Sequence, residues 1–379
     1  MKERLVEQLL STIMKWSEEK IVEELQNIQF LAEMKYDHYD QFMPGTRFLG
    51  SLAKWLDSFD EMSDRNVMFD FVKKKLVFIS SSQMSYLITL LYRVKILSTL
   101  VRETAKKLNL PEYKVYKVLN SEDFKIQKRL SLFIGLSDGA HMDIVRRTAG
   151  LNNEQVLNNY YPDKDKIKEM KESLCKDGIL NNKKAQRKYN RVFLIDDFTA
   201  SGTSFIRKDT ADGKYHGKLT KIMKKLYGKG SDDNENPFGT IIEESGTVHI
   251  YFCLATEYAL GYIKRMLNDY KRENNFKVEF DVDCIQVITN NVSEDIKNDK
   301  KIIDVLSKAK YINTNETSKK SYSVGKGEKH YLGYADGALP LVLSHNTPNN
   351  SILVLWQNEK DVENGTNKYP SLFPRINRH

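Results

Sequence analysis

Apolar residues recur every three to four positions through the first third of the chain, then change to short unbroken runs. In the N-terminal part Leu5, Leu9 and Ile13 fall on one helical face, as do Ile21, Leu25 and Ile28. Met43-Pro44-Gly45 interrupts the pattern. Phe78-Ile79-Ser80-Ser81-Ser82-Gln83 reads as a serine-capped helix start. The helix after it carries Met84, Leu87, Ile88, Leu91, Val94, Val101, Ala105 and Leu108, a stripe that suits core packing, and ends at Leu110-Pro111. This spacing predicts a helical N-terminal region over residues 1–125. The short basic segment from Thr104 to Leu119 has the length of a helix-turn-helix, but no base-reading residue can be named in it and a packing unit is the simpler reading.

From Leu130 the pattern is that of buried strands. Ser131 to Leu136, Val192 to Ile195, Thr247 to Ala255 and the runs within Val278 to Ile288 are short, branched and apolar. Helical patches lie between and after them: Ile144 to Thr148, Asp165 to Leu174, the amphipathic Leu219, Ile222, Met223 and Leu226, and Ala259 to Leu267. Strands alternating with helices predict an α/β domain with a parallel sheet over residues 126–379. A long insertion near 206–246 interrupts it, ending in the turn-rich Ser231 to Pro237. A last strand is expected to end at Trp356.

An apolar content of 40% with 11% aromatics is enough for a substantial core, so global disorder is excluded. Three cysteines without C-x-x-C spacing argue against a disulfide framework or a zinc site. No charged-then-apolar leader and no long uncharged stretch stands out, so a soluble cytoplasmic protein without membrane contact is expected. The net charge of +8 permits nucleic acid as a partner without requiring it. Lys214 to Lys229, with six lysines and no acid, is where such a contact would lie; a solvated lysine face explains it equally.

The chemistry concentrates at Val192-Phe193-Leu194-Ile195-Asp196-Asp197-Phe198-Thr199-Ala200-Ser201-Gly202-Thr203-Ser204. Two carboxylates at the C-terminal end of a buried strand are acceptors suited to sugar hydroxyls or to a Mg²⁺ held partly by the ligand. The small-residue turn after them offers backbone N–H groups and the hydroxyls of Thr199, Ser201, Thr203 and Ser204 to an anion. A helix starting near Thr203 would add the partial charge of its N-terminus. A phosphate beside a diol describes a ribose 5-phosphate. The reading requires the acids to avoid a dry core and a hollow to lie under Gly202. An earlier turn, Ser137-Asp138-Gly139-Ala140, ends the strand that begins at Ser131. His249, mid-strand among apolar residues, reads as a core histidine.

The Asp196 stretch resembles the phosphoribosyl diphosphate (PRPP) loop of type I phosphoribosyltransferases. The resemblance implies that Asp196 and Asp197 contact the ribose hydroxyls and that Thr199, Ala200, Ser201, Gly202, Thr203 and Ser204 wrap the 5-phosphate. It implies a pyrophosphate site at Asp138 and Gly139, with Arg146 or Arg147 as a neutralising cation. It also implies a catalytic loop between the two turns, where Lys183, Lys184, Arg187 and Lys188 are indistinguishable candidates, and Mg²⁺ carried on the PRPP ligand. The turn Thr199 to Thr203 is one residue longer than the Thr-Thr-Gly-Thr form. Adding His345-Asn346-Thr347-Pro348-Asn349-Asn350 and Leu372-Phe373-Pro374-Arg375, the chain is most similar to the phosphoribosyltransferase-like (PRTase-CE) proteins of bacterial antiphage systems such as retron-associated effectors. In the C-terminal loop His345, Asn346 and Asn349 can read a base edge or close a polar turn. A partner protein or ribonucleoprotein would follow from that setting. Three activities stay open: pentosyl transfer, non-catalytic sensing of PRPP or a nucleotide, and glycosidic cleavage of a nucleotide or NAD.

Overall fold

The computed structural model describes residues 3–158, 161–178, 187–228, 237–312, 329–357 and 370–375. Its strands are β1 (Val77–Ile79), β2 (Ser131–Gly135), β3 (Val156–Leu157), β4 (Tyr189–Thr199), β5 (Arg207–Lys208), β6 (Tyr215–His216), β7 (Ile242–Thr256), β8 (Glu279–Ile288) and β9 (Leu341–Leu343). The chain divides into Met84–Ile288 as one unit and Met1–Gln83 with Thr289–His379 as the other, rather than near residue 125.

The reason lies in what each apolar face covers. In the central unit the sheet order is β3-β2-β4-β7-β8, and all four pairings are parallel. Leu132, Ile134, Val192, Leu194, Val248, Ile250 and Phe252 pack in one cluster with the helices Lys164–Lys176, Lys218–Tyr227 and Glu257–Asn274. Strand side chains alternate between faces, so Phe133, Phe193, His249 and Tyr251 belong to the other side. There the Tyr251 hydroxyl meets Thr99 Oγ1 at 3.1 Å, and Arg191 pairs with Glu103. Both partners stand on the helix Leu97–Lys107, which therefore belongs to the sheet.

That helix continues a run over Ser81–Lys107 with a π-helical stretch at Leu91–Ile96. Met84, Leu87, Ile88 and Leu91 are buried before the stretch, and Ile96, Leu100, Val101 and Ala105 after it; Val94 is exposed because the wider turn shifts the buried face. The run is long and apolar enough to cross a membrane, but half of its apolar window is buried within the protein.

In the other unit the N-terminal helices share a core with the C-terminal segment. Val6, Leu10, Ile13 and Met14 are buried, whereas Leu5 and Leu9 are exposed, so the packed stripe lies one residue from the expected face. Phe78 and Ile79 belong to β1, which pairs in parallel with β9; the serine cap is Ser80, whose Oγ accepts from Gln83 N at 3.2 Å. Phe373 is fully buried, with Tyr36, Tyr39, Phe42, Phe48 and Phe78 around it at ring-centroid distances of 5.2–5.9 Å. The expected strand ending at Trp356 is instead a short 3₁₀ turn, Leu353–Leu355, because the Val354 carbonyl turns to Trp55 Nε1 at 2.9 Å rather than to a neighbouring strand.

Candidate functional site

Chain order against sheet order fixes where a ligand site forms. From β2 the chain steps outward to β3, returns to β4 on the other side of β2, and proceeds through β7 to β8. The winding reverses between β2 and β4, and in open parallel sheets ligands bind beyond the carboxyl ends of the strands at that reversal. Gly135 of β2 is in register with Ile195 of β4, so Ser137 arrives level with Asp196 and Asp197.

The three side chains meet. Ser137 Oγ hydrogen-bonds Asp196 Oδ1 and lies 3.1 Å from Asp197 Oδ1. Asp196 Oδ1 also accepts from the Asp197 backbone N–H at 3.2 Å, and Asp196 Oδ2 accepts from the Lys218 ammonium at 2.7 Å. Gly139 packs directly on Asp197: a Cβ there would collide with the carboxylate. The first turn is thus built around the acids of the second. Burial pushes the Asp196 carboxyl up to about 7; Lys218 and Ser137 pull it down, and the neighbouring Asp197 charge pushes it further up. Such a displaced acid is characteristic of functional sites.

The sequence requirements are met unevenly. Asp196 and Asp197 are 3% and 7% exposed, but they sit in a polar cluster whose Lys218 side chain is 37% exposed, not in an apolar core. On the side that a Cβ would take, Gly202 is packed against a helix and leaves no hollow. Gly202 has φ +75°, and a Cβ on it would lie 2.9 Å from both Ile263 and Tyr262 of the helix Glu257–Asn274. The turn therefore presents its hydroxyl rim: Ser201 Oγ and Thr203 Oγ1 are 2.9 Å apart, Ser204 is exposed, and Thr199 Oγ1 is buried without a hydrogen-bond partner. Ala200 O accepts from Thr256 Oγ1, tying the turn to the end of β7.

No helix starts at Thr203. Phe205 and Ile206 N–H both bond Gly202 O, and the chain enters the β5–β6 hairpin instead. The helix begins at Lys218, and its first two amides, Lys218 N–H and Leu219 N–H, bond Ser204 O and Phe205 O at 3.1 and 3.0 Å. Its first two amides thus hold carbonyls of the chain just after the turn. Arg207 lies against the turn, with Nη1 3.4 Å from Thr203 O and a buried Nε that has no hydrogen-bond partner.

Asp138 is exposed beside Gly139. Arg146 and Arg147 stand in the last turn of the helix Met142–Ala149, not its first, and Arg147 pairs with Asp143. Among the proposed loop cations Arg187 caps the helix Lys164–Lys176 through Leu174 O at 3.2 Å; Lys183 and Lys184 lie outside the described residues. In the basic segment Lys221, Lys224 and Lys225 form an exposed face over buried Leu219, Ile222, Met223 and Leu226, and Lys229 and Ser231 to Asn236 lie outside the described residues.

His345, Asn346 and Asn349 belong to the other unit, and the hydrogen bonds there run through two backbone carbonyls and one amide oxygen. His345 O accepts from Gln41 Nε2 at 2.7 Å, Asn346 Oδ1 from Thr347 N, and Asn349 O from Tyr334 N. His249 stacks on Phe193, which stacks on Phe133, and its Nδ1 lies 3.0 Å from Asp281 Oδ2, as befits a core histidine. Cys175, Cys253 and Cys284 are free thiols. Asp209, Asp212 and His216, grouped on the exposed hairpin, have ligand-like spacing, but nothing else there points to a metal.

Ser137, Lys218 and Arg207 were not assigned roles from sequence. Ser137 was within reach, since parallel register carries it to the acids. Lys218 follows Asp196 by 22 positions across a hairpin, and no local spacing announces it.

A parallel sheet with paired acids at its winding reversal and a hydroxyl-rich turn behind them defines a phosphoribosyltransferase-like α/β protein. The PRTase-CE family model matches residues 52–375, and the chain belongs to that family. Comparison with curated proteins and with solved structures gives no match.

Proposed function

We propose that Met84–Ile288 binds PRPP, or a related ribose-phosphate nucleotide, at the β2–β4 reversal, and transfers its pentose or cleaves its glycosidic bond. The observation that carries the proposal is the Ser137–Asp196–Asp197 cluster, which joins the two turns into one site where a parallel sheet binds ligands. Asp196 and Asp197 take the ribose hydroxyls, and the Ser201–Ser204 rim takes the 5-phosphate. Asp138 and Gly139 face the pyrophosphate. The protein's share in a reaction at C1 is positioning and stabilisation of the departing anion.

Magnesium fits this donor set only in one way. Lys218 already stands on Asp196 Oδ2, so an ion caged by both carboxylates would meet an ammonium. A hard cation held mostly by water and the ligand's phosphates suits the residues.

In the test, the melting temperature is followed on adding Mg²⁺ and PRPP. A rise that Asp197→Asn abolishes supports the reading, and no rise in the unaltered protein ends it. Sensing without turnover is the second reading, favoured by both acids already being hydrogen-bonded within the protein. Incubation with PRPP, NAD and nucleotides, followed for pyrophosphate or free base, separates the two. The antiphage setting belongs to the same proposal: plaque formation on cells carrying the gene with its neighbours is expected to recover with Asp197→Asn.

A further inference from the structure

The inserted hairpin changes how the turn can hold an anion. In a plain βα connection the helix N-terminus would follow the turn directly and point its free amides at a phosphate. Here β5 and β6 intervene, and the first two helix amides are engaged by Ser204 O and Phe205 O. The hairpin instead brings one cation to each of its ends. Arg207 opens it, with Nη1 on Thr203 O and Nε buried and unpartnered. Lys218 follows its close, with the ammonium 2.7 Å from Asp196 Oδ2 and its own backbone N–H on Ser204 O. Thr199 Oγ1, in a side chain 5% exposed, is a second buried polar atom of this turn without a partner. Orphaned buried polar groups call for an explanation, and a bound anion next to them supplies one.

We infer that Arg207 and Lys218 together form the phosphate clamp of this site, taking the part that a helix N-terminus would otherwise play. Arg207 completes its guanidinium bonding on the phosphate oxygens. Lys218 joins the subsites: its ammonium stands on Asp196 Oδ2, and its backbone N–H on Ser204 O ties the same residue to the hydroxyl rim. The ligand class is a pentose carrying a 5-phosphate, in preference to a free pentose or a bare pyrophosphate. This rests on the ribose-phosphate reading above.

The experiment measures calorimetric binding of ribose 5-phosphate, and separately of PRPP with Mg²⁺, to the full chain and to Arg207→Gln, Lys218→Met, Arg207→Lys and Lys218→Arg. Losing one charge-assisted bond predicts roughly ten-fold weaker binding, or more, for each neutral variant. The charge-conserving variants are expected to lose less, a few-fold at most. The melting temperature without ligand, recorded for every variant, separates folding defects from binding. Should a neutral variant not fold, the charge-conserving one replaces it: Arg207→Lys then has to lose its advantage for ribose 5-phosphate over ribose by a few-fold, since lysine cannot reproduce the forked contact. Unchanged affinity in Arg207→Gln and Lys218→Met, with the unaltered protein binding well, overturns the clamp and leaves the ribose-phosphate reading standing. Absence of binding by the unaltered protein overturns both.

Discussion

Replacing Asp196 by asparagine is expected to stabilise the fold at alkaline pH. The carboxyl is buried and holds its proton up to about 7, against an ordinary value of 3.8. Between those values the folded chain binds more protons than the unfolded one, so stability falls as pH rises through this window, and above it the folded state carries the full cost of the charge. At about 1.4 kcal/mol per pH unit the difference sets an upper bound of about 4 kcal/mol, and local relaxation brings the expectation to about 1–3 kcal/mol. Asparagine removes that cost and keeps an acceptor for Ser137 and the Asp197 amide. Lys218, more than a third exposed, returns to water at little cost. Urea unfolding from pH 4.5 to 8.5, with hydrogen exchange on the β4 amides to localise the change, reads the effect. The variant should be the more stable protein at pH 8, with the gap closing toward pH 4.5. An Asp196→Asn protein that is less stable at pH 8 and keeps the same pH slope would refute the burial argument.

Three other outcomes follow from particular contacts. Gly139→Ala drives a methyl group into the Asp197 carboxylate, costing about 1–3 kcal/mol; a PRPP-induced melting shift as large as in the unaltered protein would deny that the two turns form one site. Phe373→Ala empties the centre of five rings and is expected to cost about 3–5 kcal/mol, read as faster hydrogen exchange in the helices Phe48–Asp57 and Met62–Lys74 with no change in β4 and β7. Asp281, held down to about 2 chiefly by its bond to His249, contributes stability present above its unfolded value and lost as pH falls through its folded one; Asp281→Asn should flatten the acid limb of the stability curve below pH 4.

The strands at the centre of the sheet were legible because parallel strands buried on both faces read as short branched runs, and β2, β4 and β7 do; β8, at the edge, is buried only at Val282 and Cys284. The acids and the glycine turn were legible because their chemistry is local. What escaped the sequence is non-local. Nothing near Thr203 shows that its chain turns into a hairpin, because Phe205 and Ile206 are as compatible with a helix as with the turn they make on Gly202. The Lys218–Asp196 pair needs the hairpin's closure to be known first. The division of the chain was hidden for the same reason: the stripe from Met84 to Ala105 announces a buried face but not which core buries it. Nor does a histidine among asparagines say whether it faces a ligand or closes a turn, since both uses draw on the same amide and imidazole groups.

The packing of Phe373 among N-terminal aromatics has a consequence during synthesis. A ribosome delivers Met84–Ile288 long before Leu372 and Phe373, so the sheet can settle while the opening helices still lack their last partners. A released fragment ending at residue 288 should show protected amides across the sheet and rapid proteolysis within its first eighty or so residues. Until residues 372 and 373 emerge, those helices lack the aromatic partner that fills the centre of their core.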